Sequence, residues 1–303
     1  MANDEMEEAT GREVDPATGT ETTGHSWDGI KELNTPLPRW WLWTFYGTIV
    51  FALIYVVLYP AIPLVHSATG GLLGWHSRTD LEETQVAAAE GQAQFRDQIA
   101  ATPIAEIVTN ADLFRFASAA GRSAFAVNCV QCHGSGATGG PGFPNLQDDD
   151  WLWGGSIEDI YTTISHGVRS DDDETRYSEM PAFGRDGVLD RDQIRNVAAY
   201  VLSLSGHHAE LGNPQDGTQI FADNCAMCHG ETAEGMHELG APNLTDAIWL
   251  YGDEEADIIA QVSNPRHGVM PAWLPRLGDT TVKELASYVY SLGGATVEQA
   301  SID

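Results

Sequence analysis

Two short motifs, Cys129-Val-Gln-Cys132-His133 and Cys225-Ala-Met-Cys228-His229, contain every cysteine of this 303-residue chain. Whatever the chain folds into must present two thiols and a neighbouring imidazole to one object, and must do so twice. Cys-x-x-Cys-His is the attachment pattern of c-type haem, in which the thiols add to the two vinyl groups and the histidine becomes the proximal ligand. A structural zinc would need a second Cys or His pair, or both pairs on one ion. A thioredoxin-like redox site would need a βαβ pattern, which the sequence lacks. Each pair is followed by His and lies in its own repeat, so the reading is two covalently attached haem c groups.

The repeat extends well beyond the motifs. Copy one passes from Ser123 to Cys129, then through Pro144-Asn145-Leu146, Trp151-Leu152-Trp153-Gly154, His166-Gly167 and Met180-Pro181-Ala182-Phe183, to an apolar segment ending at Leu204. Copy two passes from Thr218 to Cys225, then through Pro242-Asn243-Leu244, Trp249-Leu250-Tyr251-Gly252, His267-Gly268 and Met270-Pro271-Ala272-Trp273, to a matching segment ending at Leu292. The copies differ mainly before the methionine, where copy one carries an extra acidic run at 171–174. Apolar residues at Ile194, Val197 and Val201, and at Val282, Leu285 and Val289, have the spacing of one buried helical face.

Each copy resembles the class I cytochrome c domain, a small helical unit. Its first helix leads into the haem motif, a loop carries a distal methionine, and its last helix packs across the first. The resemblance implies His133 and His229 as proximal ligands and Met180 and Met270 as distal ones. The shared Met-Pro-Ala context supports the methionines, because proline restricts the backbone beside the sulfur. His166 or His267 could instead make a bis-histidine haem. Met236 lacks a counterpart in copy one, and Met227 lies inside a haem motif. Pro144 and Pro242 occupy the place where this family's proline carbonyl accepts the Nδ1–H bond of the proximal histidine. Trp151 and Trp249 are expected at the haem edge, with an indole N–H in reach of a propionate, or as plain core residues. Two six-coordinate irons leave no open position, which argues for electron transfer over peroxidase chemistry.

Residues 40–59 contain no charge and have the length of a membrane span, with Trp and Tyr at both ends. The span starts too late for an ordinary cleaved signal peptide and reads as an uncleaved signal anchor. Arg12, Lys31 and Arg39 precede it and only Arg78 follows closely, which places the N-terminus in the cytoplasm. Haem attachment to Cys-x-x-Cys-His takes place outside the bacterial cytoplasmic membrane, so the haem domains belong in the periplasm. Residues 1–25 are acidic and Thr-rich and read as disordered. A helix is expected through 81–99.

The segment 28–46, Asp-Gly-Ile-Lys-Glu-Leu-Asn-Thr-Pro-Leu-Pro-Arg-Trp-Trp-Leu-Trp-Thr-Phe-Tyr, is similar to the N-terminus of the dihaem subunits of cbb₃-type cytochrome c oxidases, the CcoP or FixP family. The loop Thr175-Arg176-Tyr177-Ser178-Glu179-Met180 resembles that family's first distal-methionine loop. The resemblance implies an all-α chain with a single N-terminal transmembrane helix and two tandem class I cytochrome c domains. The expected organisation is a cytoplasmic segment 1–38, a transmembrane helix 39–60, a periplasmic linker 61–110, cytochrome c domains at 111–207 and 208–296, and a tail 297–303. It further implies a cytochrome c electron donor, a monohaem cytochrome c partner subunit, and a catalytic haem–copper subunit that reduces oxygen. Trp40, Trp41 and Trp43 are candidates for contact with the oxidase core, or are ordinary aromatic belt residues. The residues alone leave a second reading, a free-standing anchored dihaem shuttle.

Composition narrows the partners. Fifteen basic residues against 44 acidic ones give a net charge of −29, which excludes a nucleic-acid binder. The acids are spread throughout, as on a solvated surface suited to a salty habitat. An acidic face that steers a basic cytochrome donor is the competing account.

Overall fold

A computed structural model of the chain describes residues 13–293. The expected C-terminal tail 297–303 and residues 1–12 of the acidic N-terminal segment lie outside the described residues. The chain divides into two compact units, Met1–Ala89 and Glu90–Asp303.

The first unit opens with a small antiparallel hairpin, β1 (Thr22–Trp27) and β2 (Ile30–Leu33). Its turn is Asp28-Gly29, with φ of 51° and 86°. Asp-Gly is the favoured chemistry for a tight hairpin turn with two positive φ angles. The expectation of disorder through residue 25 is therefore corrected: this local turn signal outweighs the polar composition around it. Helix α1 (Arg39–Leu58) follows Pro38 and buries none of its side chains within the protein. It is long and apolar enough to cross a membrane. After Tyr59 the chain folds back, and the Leu72 and Leu73 N–H groups donate to Val57 O and Leu58 O at 3.0 and 3.1 Å. Carbonyls that a helix end would leave unpaired are thereby satisfied. Gly71, at φ 64°, is needed there, because a Cβ would overlap the Leu58 carbonyl.

Helix α2 (Ser77–Ala101) is longer at both ends than the expected 81–99. Its residues from Glu90 onward belong to the second unit. Ile99, together with Ile107 on α3 (Ile104–Thr109), is fully buried against Leu113 and Ala117. The C-terminal end of the segment read as linker therefore packs into this core.

The second unit is helical. α4 (Ala111–Asn128) starts at Asn110, whose side chain accepts from Asp112 N and Leu113 N. It runs into α5 (Val130–His133). α6 (Ile157–His166) starts at Ser156, and α7 (Arg191–Leu204) starts at a capping box of Asp190 and Gln193. α8 (Pro214–Asn224) has proline in its first turn and leads into α9 (Ala226–His229). α10 (Glu255–Ser263), α11 (Leu274–Leu277) and α12 (Asp279–Tyr290) complete the unit.

The packing departs from the expected order. Each copy's last helix should lie across its own first helix. Instead α12, the last helix of copy two, packs on α4, the first helix of copy one, while α7 packs on α8. The two crossings match. A Cβ on Gly121 of α4 would overlap the Glu284 carbonyl and Tyr288 of α12, and one on Gly217 of α8 would overlap the Asn196 carbonyl and Tyr200 of α7. The physical reason is connectivity. α7 and α8 are consecutive and joined by a short link at 205–213, so they close as a helical hairpin. α4 and α12, which carry the same complementary surfaces, are left for each other. Two cores result: Phe125, Ile160, Ile164, Val282 and Leu285 in one, and Phe221, Ile258, Val262, Ile194 and Val197 in the other.

Candidate functional site: two cavities built from exchanged halves

Each haem motif begins at the C-cap of its leading helix. Cys129 N donates to Phe125 O, and His133 N donates back to Cys129 O at 2.9 Å, so a single tight turn sets the two sulfurs and the imidazole on one side. Cys225 and His229 repeat this geometry, with Cys225 N donating to Phe221 O and His229 N to Cys225 O. The next loop closes identically in both copies. Leu146 N donates to Ala137 O and Leu244 N to Ala233 O, each at 2.8 Å. That closure carries Pro144 and Pro242 over the histidines.

The Pro144 carbonyl accepts from His133 Nδ1 at 3.1 Å, and the Pro242 carbonyl from His229 Nδ1 at 3.0 Å. A carbonyl can only accept, so Nδ1 carries the proton and Nε2 is left with its lone pair. Burial pushes both imidazole pKa values down, against the opposing pull of the proline carbonyls. Neutral imidazole is the form that binds a metal. Burial, with a smaller contribution from the second thiol, pushes Cys129 and Cys225 up to about 11.

The cavity beside Cys129, Cys132 and His133 measures about 210 Å³. Its walls include Trp151, Ile160 and Ile164 from copy one, but the facing methionine is Met270, with Pro271, Trp273 and Leu285 of copy two. The cavity beside Cys225, Cys228 and His229 measures about 400 Å³. It is walled by Trp249, Ile258 and Val262 of copy two and by Met180, Phe183 and Val197 of copy one. All twelve residues picked out from the sequence therefore gather at two cavities, yet each methionine meets the histidine of the other copy. The order of landmarks in the sequence puts His133 with Met180, whereas Met180 lines the cavity of His229 and Met270 that of His133.

The donor set fits haem c. Each cavity offers two thiols, an imidazole with a free Nε2, a thioether and a lining that is mainly apolar. Trp249 Nε1 is buried without a hydrogen-bond partner among the described residues, as a donor waiting for an acceptor such as a propionate would be. Trp151 lines the first cavity. Of the rival ligands, only His267 borders either cavity. His166 is held by Asp172 at 3.0 Å and Glu174 at 3.3 Å, and it lines neither cavity. Met227 is 80% exposed. His267 borders the second cavity as an exposed residue.

The two cavities share a wall made in part by Phe143, Asp150, Leu152, Arg169 and Tyr251. Leu152 and Tyr251 belong to the Trp-Leu-x-Gly landmarks of the repeat, whereas Phe143, Asp150 and Arg169 carry no motif and were not distinguished by the sequence. Asp150 is pushed up to about 6 by burial, then by Asp246, Asp148 and Asp149.

Comparison with known proteins matches this architecture along the chain. Residues 19–66 match the N-terminal domain of cytochrome oxidase-cbb3, FixP; residues 118–205 match cytochrome c; residues 212–289 match cytochrome c oxidase, cbb3-type, subunit III. The cbb3-type oxidase subunit FixP of Sinorhizobium medicae (strain WSM419) is 56% identical over 284 residues, covering 93% of this chain and 98% of the relative. The chain belongs to the FixP/CcoP family of cbb₃-type cytochrome c oxidase subunits. FixPc of Rhizobium leguminosarum bv. viciae is also 56% identical, covering 94% of this chain and 99% of its own. CcoP of Cereibacter sphaeroides is 54% identical over 274 residues, covering 90% of this chain and 94% of its own. As a FixP/CcoP chain it is a membrane-anchored electron-transfer subunit that carries two covalently bound haem c groups.

Proposed function

We propose that His133 and Met270 would hold the iron of the haem attached through Cys129 and Cys132, and that His229 and Met180 would hold that of the haem attached through Cys225 and Cys228. The observation that carries this reading is the make-up of the cavities, each walled by the motif of one copy and the methionine of the other. Bound haem iron supplies a one-electron couple, whose potential a thioether opposite histidine raises. The chain's own residues do the positioning. Pro144 and Pro242 hold the imidazoles with Nε2 toward the cavity. Pro181 and Pro271 stiffen the backbone after each methionine. The mainly apolar walls would limit water around the iron. With a histidine and a methionine to hold each haem, no open position would be left on the iron, so the chain would carry electrons and oxygen chemistry would belong to another subunit.

In the oxidase, this subunit takes electrons from a cytochrome c donor and passes them to a monohaem cytochrome c subunit and on to the haem–copper subunit. Membership of the FixP/CcoP family supports this over a free-standing shuttle. The N-terminus lies in the cytoplasm and the haem unit in the periplasm of a bacterial inner membrane. The basic residues Lys31 and Arg39 ahead of α1 support that orientation, as does the export-side attachment of c-type haem.

The exchange of ligands is tested by removing one haem at a time. In a Cys225→Ala/Cys228→Ala background, the remaining haem should lose its ferric methionine–iron charge-transfer band with Met270→Ala and keep it with Met180→Ala. Loss with Met180→Ala alone would restore the pairing within each copy and overturn this one.

A further inference from the structure

Copy one contains residues 169–179, which copy two lacks; there Val269 is followed directly by Met270. The first residue of that insertion is Arg169. Its backbone has φ 51°, a left-handed conformation uncommon for any residue other than glycine. Such strain persists where surrounding contacts enforce it, and it marks candidate functional positions. Here the contacts are two carbonyls: Arg169 Nε donates to Gly268 O at 2.7 Å, and Nη1 donates to Ser178 O at 2.8 Å.

Arg169 is half-buried and has no ion pair among the described residues. Arg39, Arg78, Arg122, Arg191, Arg266 and Arg276 also lack one among the described residues, but of these seven arginines only Arg169 lines both cavities. Arg96, Arg115, Arg176, Arg185 and Arg195 each have a carboxylate oxygen between 2.8 and 3.8 Å. Glu179, Tyr251 and Tyr177 face Arg169 at longer range, and burial lowers its pKa from the ordinary value. Its place in the fold gives this a meaning. Arg169 lies in the wall common to both cavities, and it is the sole Lys or Arg among the residues lining the first. A guanidinium has five N–H donors in a planar fork that matches a carboxylate, and two carbonyls leave several of them free.

We propose that Arg169 is a carboxylate-binding residue shared by the two haem sites, holding haem propionate groups at the wall between them. It is a positioning residue, fixed by Gly268 and Ser178, that places one positive charge beside both centres. The copy-one insertion thereby supplies a feature that the repeat alone does not contain. This inference rests on the assignment of one haem c to each cavity.

A positive charge near a haem favours the ferrous state, because reduction adds an electron there. In the haem-loaded full-length chain, Arg169→Gln should make both haems harder to reduce by about tenfold, which is ~59 mV for one electron. Arg169→Lys should shift both in the same direction by less, since a point charge replaces the fork. Potentiometric titration, with each haem read in the background lacking the other, measures the effect. Unmoved midpoints in Arg169→Gln, or movement of one haem alone, would overturn the shared role. If Arg169→Gln does not accumulate with both haems, Arg169→Lys decides on the same criterion. The ferric methionine–iron band is recorded on the same samples. Its persistence alongside unmoved midpoints counts against Arg169 alone, whereas its absence from the unmodified chain counts against the ligand assignment.

Discussion

Val168 and Met270 exchange both backbone hydrogen bonds, N–H to O at 2.9 Å in each direction. The residue that follows the His166-Gly167 landmark of copy one therefore holds Met270, the methionine of copy two proposed as a haem ligand. Gly167 makes the approach possible, since a Cβ there would overlap the Met270 carbonyl. Neither copy can complete its cavity alone. The two sequence repeats are one folding unit with two sites, each of which draws residues from both copies.

The helix exchange makes a stability prediction. Gly121→Ala and Gly217→Ala each push a methyl group into a backbone carbonyl on the exchanged helix. Each should destabilise the haem-loaded chain by about 1–3 kcal/mol, the cost of overpacking a tight contact. Denaturant titration followed by haem absorbance is the measurement. Unshifted midpoints in both variants would mean that α4 and α12, and α7 and α8, do not cross as closely as described.

Asp150 predicts a pH dependence with a definite sign. Its folded pKa of about 6 lies above the ordinary 3.8, so the native chain retains a proton that the unfolded chain releases between these values. The resulting penalty is absent below 3.8 and grows as the pH rises through about 6. Asp150→Asn should therefore stabilise the protein at pH 7.5 by about 1 kcal/mol, allowing for solvent screening of a half-buried carboxylate. At pH 4 the gain should vanish. A gain of equal size at both pH values, measured by thermal unfolding, would show that charge is not its source.

Trp249 supplies a local contrast to Arg169. Its buried Nε1–H lacks a partner among the described residues and lines the second cavity only. Trp249→Phe should make the haem of Cys225 and Cys228 harder to reduce by less than about tenfold, leaving the other haem unmoved, because a neutral donor stabilises an anion less than a charged one does. Equal shifts at both haems would place this indole at the shared wall instead.

Much of the site was legible in the residues. The two Cys-x-x-Cys-His motifs, Pro144 and Pro242, and Met180 and Met270 all stand at the two cavities. Helix α1 matches the uncharged segment around residues 40–59. The Asp28-Gly29 turn was a readable hairpin signal that the acidic, polar composition around it masked. Arg169 and Asp150 carried no signal, since an isolated Arg or Asp in a loop has no periodicity to reveal its burial.

The sequence by itself determined the chemistry: two haem attachment sites, two histidines, two methionines and an apolar anchor. It also determined the surfaces, because α4 and α8 present the same glycine-centred face, and α7 and α12 the same apolar stripe. That duplication is why it could not determine the partners. Two first helices and two last helices of equal complementarity allow either pairing, and local energetics do not separate them. Only the tertiary structure decided it, through the short link at 205–213 that closes α7 onto α8 and leaves α12 for α4. The same choice carried Met270 to His133, Met180 to His229, and Arg169 to the wall between them.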